Sequence, residues 1–296
     1  MYDTIVIGMG IAGITSAIYA KRGGLNTLMI ESEYPGGLLN KISIIENYPG
    51  IKSITGMDLS SNLLQQVKEN DIPYKIEKVV SIENNGEFKR VITTKDTYDT
   101  KSIVIAIGRK PRKSNLLNEE KYIGKGVSYC AVCDAPLYKN KNVLVLGGGN
   151  SAFEEALYLS DIVNSIKIII RSNIKAENNL VERVKSKDNI EIIENTNIKE
   201  IIGDEIVKGI KLENGEIINC DGIFIYYGYE AETSFIKHLN ITDENGYIVV
   251  DNNMMTNVES IYACGDIIKK DLYQLITAAS EGALAATNII KNIKNK

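Results

Sequence analysis

The sequence predicts an α/β chain made of two Rossmann-like, three-layer units. Three observations predict it. A short β-branched strand at residues 4–7 runs into a glycine turn and then a helix-compatible stretch. The same grammar returns at Asn142. The 296 residues suffice for two domains of about 150 residues each.

The elements follow in order. Thr4-Ile5-Val6-Ile7 is an apolar strand, residues 14–21 form a helix with small residues on one side, and a second strand at 27–30 ends at Glu31. An amphipathic helix is expected over 59–69. Short strands then cover 75–105, broken at Asn84-Asn85-Gly86. The second unit has a strand at 143–146, a glycine turn, a helix at 153–160 and a strand at 166–170. Residues 190–227 are β-rich, with Glu213-Asn214-Gly215 as a hairpin turn. Residues 261–293 hold a strand, a Gly-Asp turn and a last helix. Polar stretches at Arg112-Lys113-Ser114 and His238-Leu239-Asn240 mark the expected crossovers between units.

Composition narrows the function. Lys and Arg total 34 against 38 Asp and Glu, a net charge of -4, which argues against a nucleic-acid binder. No apolar run approaches the ~18 residues of a membrane span. The N-terminus lacks a basic segment before an apolar stretch, so no secretory signal is expected. Four cysteines are too few for a disulfide-stapled secreted scaffold, and a cytoplasmic protein is expected. One His excludes a multi-His metal site, and no metal is expected.

Gly8, Gly10 and Gly13 fit G-x-G-x-x-G, with Ile11 and Ala12 inside it. The first glycine allows the tight turn, the second lets a pyrophosphate approach the backbone, and the third lets helix and strand pack closely. The phosphates then sit at a helix N-terminus. Glu31, eighteen residues after Gly13, ends the next strand where a carboxylate can accept from ribose hydroxyls. The plainer reading is a glycine-rich turn in an ordinary α/β sheet. Gly147, Gly149 and Ala152 repeat the pattern as G-x-G-x-x-A around Asn150 and Ser151. Here the following strand ends at Arg171, with Lys175 just beyond. Basic residues there accommodate a 2′-phosphate and favour NADPH over NADH.

Cys130-Ala131-Val132-Cys133-Asp134 has three readings. A zinc site needs about four ligands, and Cys220, Cys264 and His238 are scattered. A buried inert pair is the bland reading. A redox dithiol is favoured, because the second thiol can resolve a mixed disulfide formed by the first. Asp134 is the candidate acid–base group, or else a helix N-cap. In Tyr262-Ala263-Cys264-Gly265-Asp266, Asp266 would meet flavin ribityl hydroxyls, although Gly-Asp is also a common turn; Cys264 reads as a buried inert thiol. The arrangement carries more than its parts. Two nucleotide turns and one dithiol suffice to move two electrons from a nicotinamide through a flavin to a disulfide.

On these residues the chain resembles the low-molecular-weight thioredoxin reductases over nearly its whole length. Gly36-Gly37-Leu38-Leu39 and Glu46-Asn47-Tyr48-Pro49-Gly50 are similar to that family's flavin-loop segments, Cys130 to Asp134 to its C-A-T-C-D site, and Gly147 to Ala156 to its nicotinamide segment. Gln274 with Thr277, Ala278 and Ala279 resembles its last flavin segment. The resemblance implies an FAD domain of residues 1–112 and 241–296, with an NADPH domain of residues 113–240 inserted in it. It implies a homodimer, rotation of the inserted domain, and electron flow from NADPH through FAD and the dithiol to thioredoxin. Cys133 would be the thiol nearer the flavin, Cys130 the one that attacks thioredoxin, and Asp134 the acid–base group. The FAD set would be Gly8, Gly10, Ile11, Ala12, Gly13, Glu31, Gly37, Leu38, Asn47, Val80, Ala106, Gly108, Gly265, Asp266 and Gln274. The NADPH set would be Gly147, Gly149, Asn150, Ser151, Ala152, Arg171 and Lys175.

The chain departs from the family pattern in places. The H-R-R-x-x-x-R motif is represented by Ile169-Ile170-Arg171-Ser172-Asn173-Ile174-Lys175, so one Arg is lost and another has become Lys. The G-H-x-P-N-T motif reads Gly228-Tyr229-Glu230-Ala231-Glu232-Thr233, and the Arg of the Arg-Gln pair is Tyr273. Leu38 replaces a Gln and Val132 a Thr. The nicotinamide-side changes leave NADH or reduced ferredoxin as alternative donors. A flavin-bound redox sensor without turnover is the competing class, which the intact C-x-x-C-D opposes.

Overall fold

The computed structural model describes residues 1–42 and 44–294. The chain forms two compact units, one of Met1–Lys110 with Glu230–Lys296 and one of Pro111–Tyr229. The polar stretch at 238–240 does not mark the return crossover. Ile236 is fully buried among Ile82, Ile241 and Ile248, and His238 Nε2 lies 2.7 Å from the Ile82 carbonyl, which ties Ser234–Leu239 to the first unit. The change therefore falls after Tyr229, and the first one after Lys110 rather than residue 112. Residues 295 and 296 of the expected C-terminal segment lie outside the described residues.

The first unit is built on a seven-stranded sheet. Its strands Tyr74–Ile76, Thr27–Glu31, Tyr2–Ile7 and the C-terminal half of Thr97–Ile105 run parallel, with Ile261–Ala263 beyond. Thr97–Ile105 forks. Residues 100–105 join Tyr2–Ile7, while residues 97–100 join Lys89–Thr93 in an antiparallel meander that continues to Val79–Asn84. Alternation sorts the strand residues. Val6, Met29 and Val104 face the helices, and Ile5, Ile7, Leu28, Ile30, Ile103 and Ile105 face the meander and residues 236–248. Helix Ile11–Arg22 packs on helix Leu275–Lys294 through small residues, Ala12, Ser16 and Ala20 against Ala278, Gly282 and Ala286. The approach is close: a Cβ on Gly282 would stand 2.2 Å from the Ala12 carbonyl oxygen.

The second unit repeats the plan. Five parallel strands stand in the order Ile190–Ile193, Ser165–Ile169, Asn142–Leu146, Gly222–Ile225, Val127–Ser128. Helices Asn150–Ser160 and Asn178–Lys185 cover one face through Phe153, Ala156, Leu180 and Val184. The meander of Ile198–Gly203, Val207–Leu212 and Ile217–Asn219 covers the other through Ile201, Ile210 and Leu212. Both units are thus helix, parallel sheet and antiparallel meander, the three-layer α/β class expected. Helix Asn178–Lys185 was not expected: its eight residues show only Leu180, Val181 and Val184 as an apolar face among charges.

Candidate active site

Sterics define the two glycine turns. Gly8 has φ +102°, and a Cβ there would meet the Ala106 carbonyl oxygen at 2.4 Å. A Cβ on Gly13 would stand 2.1 Å from the Gly8 carbonyl oxygen. Gly10 differs: a Cβ there meets nothing within 4 Å, so the backbone is open at the head of the Ile11–Arg22 helix. Ile11 and Ala12 are buried in the first turn of that helix. Glu31 holds the loop, with Oε2 accepting from the Met9 N–H at 2.7 Å and Oε1 from the Ser32 and Glu33 N–H groups.

Further expected residues gather at this turn. The Gly36 N–H donates to the Met9 carbonyl, and Gly37 stands beside Gly10. Leu38 follows, half-buried, in a short 3-10 turn. Ala106 is buried below the turn, and Gly108, at φ +64°, leads out of it. Gly265 has φ +79° and lies against Ala12. Asn47 Nδ2 donates to Gln274 Oε1 at 3.1 Å, joining two expected residues 227 positions apart. Val80 lies outside the cluster. It is exposed in the bulge between Val79 and Ser81, on a strand three positions from Tyr2–Ile7 in the sheet.

Asp266 is set in a charge cluster that sequence reasoning missed. Arg109 Nη2 donates to Asp266 Oδ2 at 3.2 Å, and its guanidinium stacks 3.9 Å from the Tyr273 ring centroid. Lys270 lies 3.5 Å from Asp266 Oδ1 and donates to both Glu281 oxygens. Glu281 Oε2 also accepts from the Gly265 N–H at 2.9 Å. Burial pushes the Glu281 carboxyl above its ordinary value, against the pull of Lys270. Nothing in sequence links positions 109, 266, 270 and 281.

The second turn has the same logic with one substitution. Gly147, at φ +150°, has no room for a Cβ, which would meet the Tyr226 carbonyl oxygen at 2.5 Å. Gly149 is open, as Gly10 is. Ala152, fully buried, fills the third position. Asn150 Oδ1 accepts from the Glu177 N–H while its Nδ2 donates to Glu177 Oε1, and Ser151 follows half-buried in the first helical turn. The Lys175 N–H donates to the Gly148 carbonyl at 2.7 Å, so the basic segment is pinned to the turn. Arg171 and Lys175 are both exposed there.

Cys130 and Cys133 are joined in a disulfide, Cα–Cα 5.4 Å. Cys130 caps the one-turn helix Ala131–Asp134, and its Sγ accepts from the Cys133 N–H at 3.2 Å. Asp134 ends that turn and stands at the N-cap position of the 3-10 helix Ala135–Tyr138, where its side chain makes no capping hydrogen bond. Ser128 Oγ accepts from the Cys130 N–H and donates to the Cys130 carbonyl. The Ala131 N–H donates to the Tyr226 hydroxyl at 3.1 Å. Cys130 is buried and Cys133 exposed. Cys220 and Cys264 are free and buried; burial pushes Cys220 up to about 12 and Cys264 higher still, so neither is a ready nucleophile.

Residues 2–283 match the pyridine nucleotide-disulphide oxidoreductase family. A thioredoxin reductase of Listeria monocytogenes is 40% identical over 301 aligned positions, covering 99% of this chain and 94% of the relative. The chain belongs to the low-molecular-weight thioredoxin reductases. The crystal structure of the Lactococcus lactis thioredoxin reductase superposes with a TM-score of 0.97 at 38% identity, covering both chains fully. That of T. acidophilum gives 0.94 at 34% identity, covering 99% of each. This thioredoxin reductase family member is an oxidoreductase acting on a disulfide, and its family works with a pyridine nucleotide and a flavin. Among the described residues, no helix is long and apolar enough to cross a membrane.

Proposed function

We propose that the chain reduces thioredoxin with electrons from NADPH, carried by FAD and the Cys130–Cys133 dithiol, as a cytoplasmic homodimer. The observation that carries the reading is the disulfide turn, with Cys130 as an N-cap whose sulfur already accepts an N–H. The unit of residues 1–110 and 230–296 would hold FAD, and the unit of 111–229 would hold NADPH. The residues fit both groups. Gly10 and Gly149 leave open backbone at two helix heads, where a pyrophosphate finds N–H donors and the positive end of the helix dipole. Among the described residues, Glu31 Oε2 accepts only from the Met9 N–H and would take a ribose hydroxyl, while Oε1 is occupied by Ser32 and Glu33. Asp266, held by Arg109 and Lys270, would take the ribityl hydroxyls, and Asn47 and Gln274, bonded to each other in the same unit, would contribute further polar groups. Arg171 and Lys175 would meet the 2′-phosphate.

FAD, held by these residues, would supply the two-electron chemistry that couples a nicotinamide hydride to a disulfide. The chain's own residues do the rest. Reduction of the turn frees two sulfurs, and the Cys133 N–H stabilises the Cys130 thiolate. Cys130 attacks the thioredoxin disulfide, Cys133 resolves the mixed disulfide, and Asp134 moves the proton.

The altered basic motif supports a second reading, in which NADH or reduced ferredoxin is the donor to the same chemistry. Lys175 is a point charge without the bidentate fork of Arg. Anaerobic titration of the oxidised holoenzyme with NADPH, NADH and reduced ferredoxin in separate cells decides between them. Stoichiometric flavin bleaching by NADPH at micromolar concentration is expected. Bleaching by ferredoxin alone would transfer the assignment to the second reading.

A further inference from the structure

We propose that Tyr226 is a positioning residue of the disulfide reaction: its hydroxyl oxygen holds the Ala131 N–H and thereby sets how readily Cys130–Cys133 is reduced. This rests on reading that pair as the redox dithiol.

Tyr226 links two parts of one unit. It follows the strand Gly222–Ile225, and its N–H donates to the Leu146 carbonyl at 2.8 Å. Its own carbonyl closes over Gly147, leaving no room for a Cβ there. The backbone is therefore locked into the second glycine turn, while the side chain reaches back 95 positions to the cysteine turn. Ala131 is fully buried, so water does not replace a lost partner for its N–H. Ser128 holds the neighbouring Cys130 N–H in the same way. The turn is thus fixed by two hydroxyls, neither of which belongs to the C-x-x-C-D segment. Burial first, then the charge of Glu155 and, more weakly, of Asp134, keeps the Tyr226 hydroxyl protonated, so its acceptor strength does not change across the working pH range.

The consequence for the reaction follows from which form of the turn needs the acceptor. Reduction adds two electrons to one S–S bond and, with one proton taken up at Cys133, yields a Cys133 thiol and the Cys130 thiolate. In the oxidised turn the Ala131 N–H has the Tyr226 oxygen. Without it, the disulfide form carries a buried unmet donor. In the reduced turn the adjacent Cys130 sulfur is released, and as a thiolate it can accept that N–H. Loss of the hydroxyl therefore penalises the oxidised form more.

The full-length holoenzyme and Tyr226→Phe are equilibrated in dithiothreitol buffers of graded oxidation state, and the free thiols are counted by alkylation and mass spectrometry. The variant is expected to favour the dithiol by about tenfold, ~30 mV for a two-electron couple. Tyr122→Phe removes another buried tyrosine hydroxyl of the same unit, one that donates to the Gly203 carbonyl, and should stay within about twofold of the parent. An unchanged equilibrium in Tyr226→Phe, or an equal shift in Tyr122→Phe, overturns the proposal. Should Tyr226→Phe not fold, 3-fluorotyrosine placed at 226 supplies a weaker acceptor of nearly the same shape. A shift of about threefold in the same direction is then expected, and none overturns it. The assay needs neither nicotinamide nor thioredoxin, so its failure is distinct from failure of the reductase reading, which Cys130→Ser tests.

Discussion

Cys130→Ser and Cys133→Ser are each expected to abolish thioredoxin turnover while leaving the protein folded and yellow. The two sulfurs act in sequence, one attacking and the other resolving, so neither alone completes a cycle. Turnover should fall by roughly a thousandfold or more, since no alternative group lowers the barrier to S–S exchange. Cys220 and Cys264 cannot substitute, because both are buried and their thiols are pushed far up. The flavin should still be bleached by the donor, because the groups proposed to hold FAD lie in the other unit. The single variants also separate the two roles. With Cys133→Ser, attack by Cys130 on oxidised thioredoxin should stall as a stable mixed disulfide, visible on a non-reducing gel. Measurable turnover in either variant would remove the dithiol from the path.

The second large effect is a contrast between two glycines of one turn. Gly13→Ala places a Cβ 2.1 Å from a backbone oxygen, so strand and helix must separate. A loss of about 3 kcal/mol in stability is expected, with loss of bound flavin as a consequence. Gly10→Ala meets nothing, and Gly10 has φ -75°, which any residue adopts. Its apoprotein should match the parent within about 0.5 kcal/mol. Yet the added methyl occupies the space a pyrophosphate needs against the backbone, and FAD affinity should drop by about tenfold or more. Chemical denaturation of the apoproteins and FAD titration by fluorescence quenching give the two readouts. If Gly10→Ala bound FAD as well as the parent does, the turn would not be the phosphate site.

The same contrast explains what was legible in the sequence. Gly8, Gly13 and Gly147 are dictated by close backbone approach, and such a demand leaves a residue type at a fixed spacing. Strands such as Tyr2–Ile7 and Asn142–Leu146 are buried on both faces and show as apolar runs. The cysteine turn is local, so its geometry is written within five residues. What was not legible acts through space. The Tyr226 hydroxyl reaches Ala131 from 95 positions away, and Arg109 meets Asp266 across 157. Neither residue carries a local pattern that distinguishes it from a strand-end tyrosine or a surface arginine. His238-Leu239-Asn240 is polar by composition and so resembles a crossover, while its neighbour Ile236 is anchored in the core by contacts with residues far upstream, and the second unit ends at Tyr229.

On the proposed function, one flavin and one disulfide in this chain form a single electron path. Anaerobic titration of the holoenzyme with dithionite, followed by addition of oxidised thioredoxin, measures that path. Full reduction should take four electron equivalents per protomer, two for the flavin and two for Cys130–Cys133, and the oxidised flavin spectrum should return fully on adding thioredoxin. Uptake of only two equivalents, with a flavin that stays reduced in the presence of thioredoxin, would contradict it.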